Sequence, residues 1–286
     1  MLVRRLGSDP RHYQIASLAL LLFYGLWRLD LEVRPASALA ALGTALLTQW
    51  ACTRWWRLPA FDPRSALISG LSLCLLLRTE WPVLAALAGL VSIAAKFVLR
   101  IGGKHLFNPT NLGIVALLAV GAPVWVSPGQ WGSTAFLGFL VLCLGGLVVT
   151  RAARADVTLS FIAFHAAIQF GRSLWLGEPL AIPLHRMENG ALLIFSFFMI
   201  SDPKTTPDSR LGRVLFSLLV ALGAAWVQYG WFRTNGLLWS LAAFSLLVPL
   251  IDRLLPGARY QWRATPGNAH QGVRHEMPAV VPVARA

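Results

Sequence analysis

Ser65-Ala-Leu-Ile-Ser-Gly-Leu-Ser-Leu-Cys-Leu-Leu-Leu77 is an uncharged run of 13 residues, and Gly190-Ala-Leu-Leu-Ile-Phe-Ser-Phe-Phe-Met-Ile200 is one of 11. A helix rises 1.5 Å per residue and needs about 20 residues to cross a bilayer, so neither run spans straight. Eight further apolar runs lie at 13–29, 36–53, 81–99, 111–126, 134–150, 157–171, 211–230 and 236–251. The short runs take the third place in each half of a five-plus-five order, and because five is odd the second half enters inverted. Paired short segments in matching places are the mark of broken helices whose freed backbone groups line a ligand or ion site. The alternative is a pair of short helices hidden inside the bundle. The pattern predicts an all-α integral membrane protein of about ten transmembrane segments. They form two inverted five-helix repeats, about 13–127 and 134–255.

Composition supports an apolar environment. Of 286 residues 56% are hydrophobic and 13% charged, with a mean hydropathy of +0.62, about half the charge of a soluble chain. The net charge is +13. With ten alternating segments, 19 of the 25 basic residues fall on the side that holds both termini, which the positive-inside rule makes cytoplasmic. The expected placement is a bacterial inner membrane, multi-pass, with the 127–134 loop periplasmic. The basic residues are scattered over several loops and form no stripe with interleaved aromatics, which removes the nucleic-acid reading. Residues 1–12 read as a cytoplasmic arm. From 256 onward the Pro/Gly/Arg-rich chain reads as a disordered cytoplasmic tail.

Cys52, Cys74 and Cys143 stand singly in apolar runs, and no Cys/His cluster with metal-ligand spacing occurs. No metal site is expected. Only His165 lies well inside a run, which argues against a bis-histidine haem and leaves a hydrogen-bonded core residue or a proton path. Acidic residues fall in loops, at run ends or in the tail, so an ion path would use carbonyls, Ser69, Ser72, Ser196 or Asp202. No nucleophile triad, P-loop or paired-carboxylate constellation is present, so no catalytic residue is assigned.

Two polar breaks carry the remaining signal. Gly102-Gly103-Lys104-His105-Leu106-Phe107-Asn108-Pro109-Thr110-Asn111 precedes the fifth run, and Ser201-Asp202-Pro203-Lys204-Thr205-Thr206-Pro207-Asp208 follows the eighth. Glycine permits positive φ and close backbone approach to a flat ligand, while Asn and Asp serve helix ends and turns. Asn111, or Thr110, is the expected cap of the fifth helix, whose amide donors suit an anion such as phosphate.

Ser65 to Asn111, with Lys96 and Gly-Gly-x-x-x-Phe-Asn-Pro-x-Asn, resembles the D subunit of Rnf electron-transport complexes. It is also similar to the B subunit of the sodium-pumping NADH:quinone reductase. The likeness recurs at Phe197 to Pro207, Gly212-Arg213, Asn235-Gly236 and Pro249 to Asp252, and covers most of 13–255. It implies a divergent, stand-alone-type member of an integral flavoprotein family that relays electrons with coupled sodium or proton movement. Other membrane or redox subunits are the implied partners. The resemblance also implies FMN joined by a phosphoester to the threonine of a Ser/Thr-Gly-Ala-Thr loop. Here Ser127-Pro128-Gly129-Gln130-Trp131-Gly132-Ser133-Thr134 matches it at Thr134 and Gly132, with Ser133 for alanine, Trp131 for the hydroxyl residue and Pro128 for an aspartate. An indole at Trp131 is able to stack on a noncovalent ring, riboflavin or a second flavin, or to belong to an interfacial belt.

The expected cofactor-binding residues are therefore Thr134, Ser133, Gly132, Trp131, Gly102, Gly103, Lys104, Asn108, Asn111, Asp202, Lys204 and Thr205. Two other functions stay open: a small-solute or ion transporter that keeps the fold without flavin, and a noncatalytic membrane partner in a biosynthetic system.

Overall fold

The computed structural model describes residues 9–28, 33–127, 144–150 and 152–260. Within them the chain is almost wholly helical: α1 (Pro10–Arg28), α2 (Pro35–Trp55), α3 (Arg64–Leu76), α4 (Pro82–Val98), α5 (Pro109–Ala119), α6 (144–150), α7 (Ala155–Leu176), α8 (Ala181–Met187), α9 (Gly190–Ile194), α10 (Arg210–Ala225), α11 (Gly236–Ser245) and α12 (Val248–Leu254). α9 runs on as a π-helical turn, Phe195–Met199, and α10 as another, Trp226–Gly230. Two short antiparallel pairs complete it: β1 (Leu77–Thr79) with β4 (Val124–Val126), and β2 (Arg100–Ile101) with β3 (Lys104–His105).

Proline sets the helix starts. It occupies the first turn of α2, α4, α5 and α12, where its missing N–H is not needed and its fixed φ is already helical. α2 packs on α4, α4 on α5 and α1 on α3; α10 packs on α7 and α11. Small residues allow the close crossings. A Cβ at Gly89 would lie 2.7 Å from the Ala41 carbonyl oxygen, and one at Gly236 would lie 2.6 Å from that of Ala224. The core runs from Leu18 and Leu21 through Leu73–Leu77, Ile114 and Phe161 to the π turn, where Phe195, Phe197, Phe198 and Met199 are all buried.

The structure corrects the ten-span, inverted-repeat architecture. Among the described residues one helix, Arg210–Gly230, is long and apolar enough to cross a membrane by length and composition, and α11 with α12 qualifies only as a pair bent by 52°. The reason is interruption. α3, α4 and α5 are 13, 17 and 11 residues long. The apolar run 111–126 is not one segment, because α5 stops at Ala119 and the chain returns as β4 to pair with β1. α1, α2 and α7 are long enough, at 19, 21 and 22 residues, but are diluted by Arg11, His12 and Gln14, by Gln49 and Arg54, and by Asp156, Gln169 and Arg172. The multi-pass inner-membrane placement, with cytoplasmic termini and a periplasmic Thr134 loop, is corrected with it. That two-sided sorting of charge required ten alternating spans. The cap of α5 is corrected too: Asn108, not Asn111 or Thr110, is the N-cap, its Oδ1 accepting from the Asn111 N–H at 3.0 Å.

Candidate functional site

The two polar breaks meet. Asn108 Nδ2 donates to the Met199 carbonyl at 3.3 Å and to Asp202 Oδ2 at 3.5 Å, joining residues more than 90 positions apart. Beside this junction lies a cavity of about 250 Å³ whose wall includes Asn108, Pro109, Thr110, Phe198, Asp202, Pro203 and Lys204. This is close to the roughly 300 Å³ lower bound of small-molecule pockets.

Each wall has a local cause. Ser65, Ile68, Ser69 and Ser72 fall at i, i+3, i+4 and i+7 of α3, one helical face, and all four line the cavity. Lys96 in the last turn of α4 reaches in; its ammonium donates to Gln49 Oε1 and, at 2.9 Å, to Ser65 Oγ. At one edge Arg11, Asp9, Asp62 and Arg64 close a ring of ion pairs, with Arg11 on Asp9 at 2.6 Å and Asp62 at 2.7 Å, and Arg64 on Asp9 at 2.6 Å and Asp62 at 2.7 Å. Burial opposes ionisation of Asp62, but the hydrogen bonds from Arg64 and the charge of Arg11 outweigh it and hold the carboxyl at about 2.

The chain after the π turn folds around Asp202. Its Oδ1 accepts from the Lys204 N–H at 2.9 Å, and its carbonyl accepts from the N–H groups of Thr205 and Thr206. Burial raises the Asp202 carboxyl above its usual range, with the Lys204 amide and ammonium opposing. Burial likewise lowers Lys204, with Asp202 opposing. Both shifts favour the neutral forms. His105, at another edge, is pushed down to about 3 by burial, reinforced by Arg100, Lys96 and Lys204.

Of the residues expected from sequence, Asn108, Asp202 and Lys204 come together in this cavity. Thr205 is buried behind it, its hydroxyl on the Asp202 carbonyl. Asn111 is fully buried and ties α5 to α11 through the Leu238 carbonyl at 3.1 Å. Gly102 and Gly103 form the β2–β3 turn with φ of +57° and +77°; Gly102 borders a neighbouring cavity of about 330 Å³ with Lys104. Lys104 is engaged by Asp208 at 3.0 Å and Asp252 at 2.8 Å. Trp131, Gly132, Ser133 and Thr134 lie outside the described residues. Ser69 and Ser72 reach the cavity, whereas Ser196 gives its hydroxyl to the Leu192 carbonyl. Gln49, Asp62, Phe97, Arg100 and His105 were not singled out by sequence as binding residues. A glutamine and a lysine inside apolar runs were the available signal, through the cost of burying them.

His165 lines a second cavity, of about 500 Å³. Gln169 Oε1 accepts from Arg186 and from Tyr229 Oη, so the Gln169 Nε2 that faces His165 Nε2 at 3.4 Å is the donor. In this contact His165 Nε2 takes the acceptor place. No group of three or more His, Cys, Asp or Glu side chains able to hold a metal occurs among the described residues.

Comparison with known proteins gives a consistent kinship. Residues 124–261 match the NQR2, RnfD, RnfE family. The D subunit of the ion-translocating oxidoreductase complex of Erwinia tasmaniensis is 33% identical over 154 residues, 51% of this chain and 38% of that protein. Its counterpart in Escherichia coli K12 is 30% identical over 127 residues, 43% and 34% respectively. The matches thus span less than two-fifths of the length of these relatives.

Proposed function

From the likeness of residues 124–261 to the NQR2, RnfD, RnfE family, we propose that the chain is an electron-relaying subunit of an ion-translocating redox complex, with a noncovalent flavin in the Lys96–Asn108–Asp202 cavity. The observation that carries this reading is the junction of the two polar breaks through Asn108, Met199 and Asp202. The cavity's residues suit the group. Phe97, Phe198, Pro109 and Pro203 offer flat apolar surface, and Asn108, Gln14, Gln49 and Thr110 offer donors and acceptors for a heterocycle edge. A bound flavin supplies one- and two-electron transfer. The chain's own part is to orient the ring, limit water and hold a proton at Asp202. FMN on Thr134 is the second flavin of the proposal, and the partners are the other membrane and redox subunits of such a complex.

The alternative, solute binding without flavin, draws on the larger cavity at His165. Purification in detergent with a flavin absorbance spectrum separates the two. Flavin released on denaturation from the Thr134→Ala protein, and lost from an Asn108→Leu/Asp202→Leu variant that remains folded by circular dichroism, is the expected result. A colourless protein after coexpression with a flavin transferase and growth with excess riboflavin overturns the reading and leaves the solute site.

A further inference from the structure

Beyond α12, residues 256–260 (Pro-Gly-Ala-Arg-Tyr) lie against both polar breaks. On the first break, Arg259 Nη2 donates to the Gly102 carbonyl at 2.6 Å, in the turn between β2 and β3. Arg100 pairs with His105 across that hairpin, and both line the first cavity. On the second break, Lys204 Nζ donates to the Tyr260 carbonyl at 3.3 Å, and Lys204 lines the same cavity. The Tyr260 ring centroid stands 5.0 Å from the guanidinium carbon of Arg154, which is 5% exposed and also donates to Thr206 Oγ1 at 3.3 Å. Gly257 lets the backbones touch: a Cβ there would lie 2.5 Å from the Ser209 nitrogen and 2.6 Å from the Asp208 carbonyl carbon.

These ties differ in kind from the inner ones. Asn108 joins the breaks through buried bonds to Met199 and Asp202. Residues 256–259 are exposed, and no side chain of 256–260 belongs to the hydrophobic core. A segment held by a few exposed polar contacts opens locally at far lower cost than the core around it. We propose that residues 256–260 form a strap that fastens the two polar breaks together from outside and gates the first cavity along its Arg100–His105–Lys204 side. Release of the strap frees the hairpin from the 201–208 segment at that side, while the Asn108 junction keeps the cavity floor intact. The gate acts on passage into the cavity whatever the cavity holds, so it stands or falls apart from the flavin reading.

The test uses the full chain with its three native cysteines replaced by alanine and a reporter, Ser69→Cys, on the cavity wall. Ser69 is 3% exposed, so a small thiol reagent reaches the reporter through opening, and slow labelling reads the open population. Arg259→Ala removes the tie to Gly102, and Gly257→Ala unseats the strap by steric clash; each alters an exposed position. Each is expected to raise the labelling rate by about tenfold, the worth of one strong hydrogen bond. A second reporter, Ser217→Cys, wholly buried between α10 and α7, should label at its original rate in both. Arg253→Ala, an exposed arginine of α12 outside the strap, should leave both reporters unchanged. An unchanged Ser69→Cys rate in either strap variant overturns the gate. Equal acceleration at Ser217→Cys also overturns it, because the whole fold would then have loosened.

Discussion

At His105 the cost of burial is written into pH dependence. The folded chain holds it neutral, with its pKa at about 3, because the ring is desolvated and Arg100, Lys96 and Lys204 stand close. The unfolded chain protonates at about 6.5. The stability that depends on the neutral ring is complete above about pH 6.5 and is lost progressively as pH falls toward 3. Asp62 acts lower. With its folded pKa at about 2, its contribution is complete above about pH 3.9 and is lost progressively as pH falls from there through 2. The thermal midpoint should therefore drop between about pH 6.5 and 4.5 by a few degrees more in the wild type than in His105→Gln. Parallel pH profiles for the two proteins would show that His105 does not carry the effect. His105 stands out in sequence only as a histidine beside a glycine pair. Its shift comes from burial and from cations on α4, β2 and the 201–208 segment, which no local pattern reveals.

At the scale of elements, α5 is the piece that brings one break to the other. Its start was legible in sequence within three residues: Asn108-Pro109 supplies a cap and a fixed first φ. Asn108→Ala should cost about 1 kcal/mol through the lost cap, and more if the ties to Met199 and Asp202 count; chemical denaturation measures it. Two helical glycines make a sharper contrast. A Cβ at Gly113 of α5 would meet Ser92 Oγ at 2.1 Å and the Ala88 carbonyl at 2.7 Å, whereas one at Gly171 of α7 would meet nothing within 4 Å. Gly113→Ala should destabilise by about 1–3 kcal/mol through overpacking against α4. Gly171→Ala should stabilise by about 0.5–1 kcal/mol, because alanine restricts the unfolded chain and favours helix. Denaturation of both variants checks the pair, and two changes of the same sign would contradict the α4–α5 crossing. In sequence the two glycines look alike, each in an apolar helix; only the neighbour across the gap distinguishes them.

Across the whole molecule, Lys104 joins the β2–β3 turn to the segment before α10 and to α12 by bridging Asp208 and Asp252, with all three side chains at most 19% exposed. Asp208 is also bound through its N–H to Asp252 Oδ1 at 2.8 Å. Lys104→Ala leaves two adjacent carboxylates without their cation and should cost about 3–5 kcal/mol; adding Asp252→Asn should return part of that in a double-mutant cycle by denaturation. A strictly additive cycle would dissolve the bridge. Sequence alone determined the helical class, the shortness of the 65–77 and 190–200 runs, the polar breaks beside them and the likeness to the NQR2, RnfD, RnfE family, because helix length, proline placement and a spaced motif are local properties of the chain. It overcounted spans, since an apolar run does not say where the backbone turns. α5 ends at Ala119 and hands Val124–Val126 to a strand, and α11 bends into α12. Only the tertiary structure decided that Lys104 is a structural bridge while Lys96 is a cation without a carboxylate, and that Asn108 meets Asp202. Whether a charge is neutralised, and which buried groups share one cavity, depends on distances between residues far apart in sequence, and the linear order does not encode these.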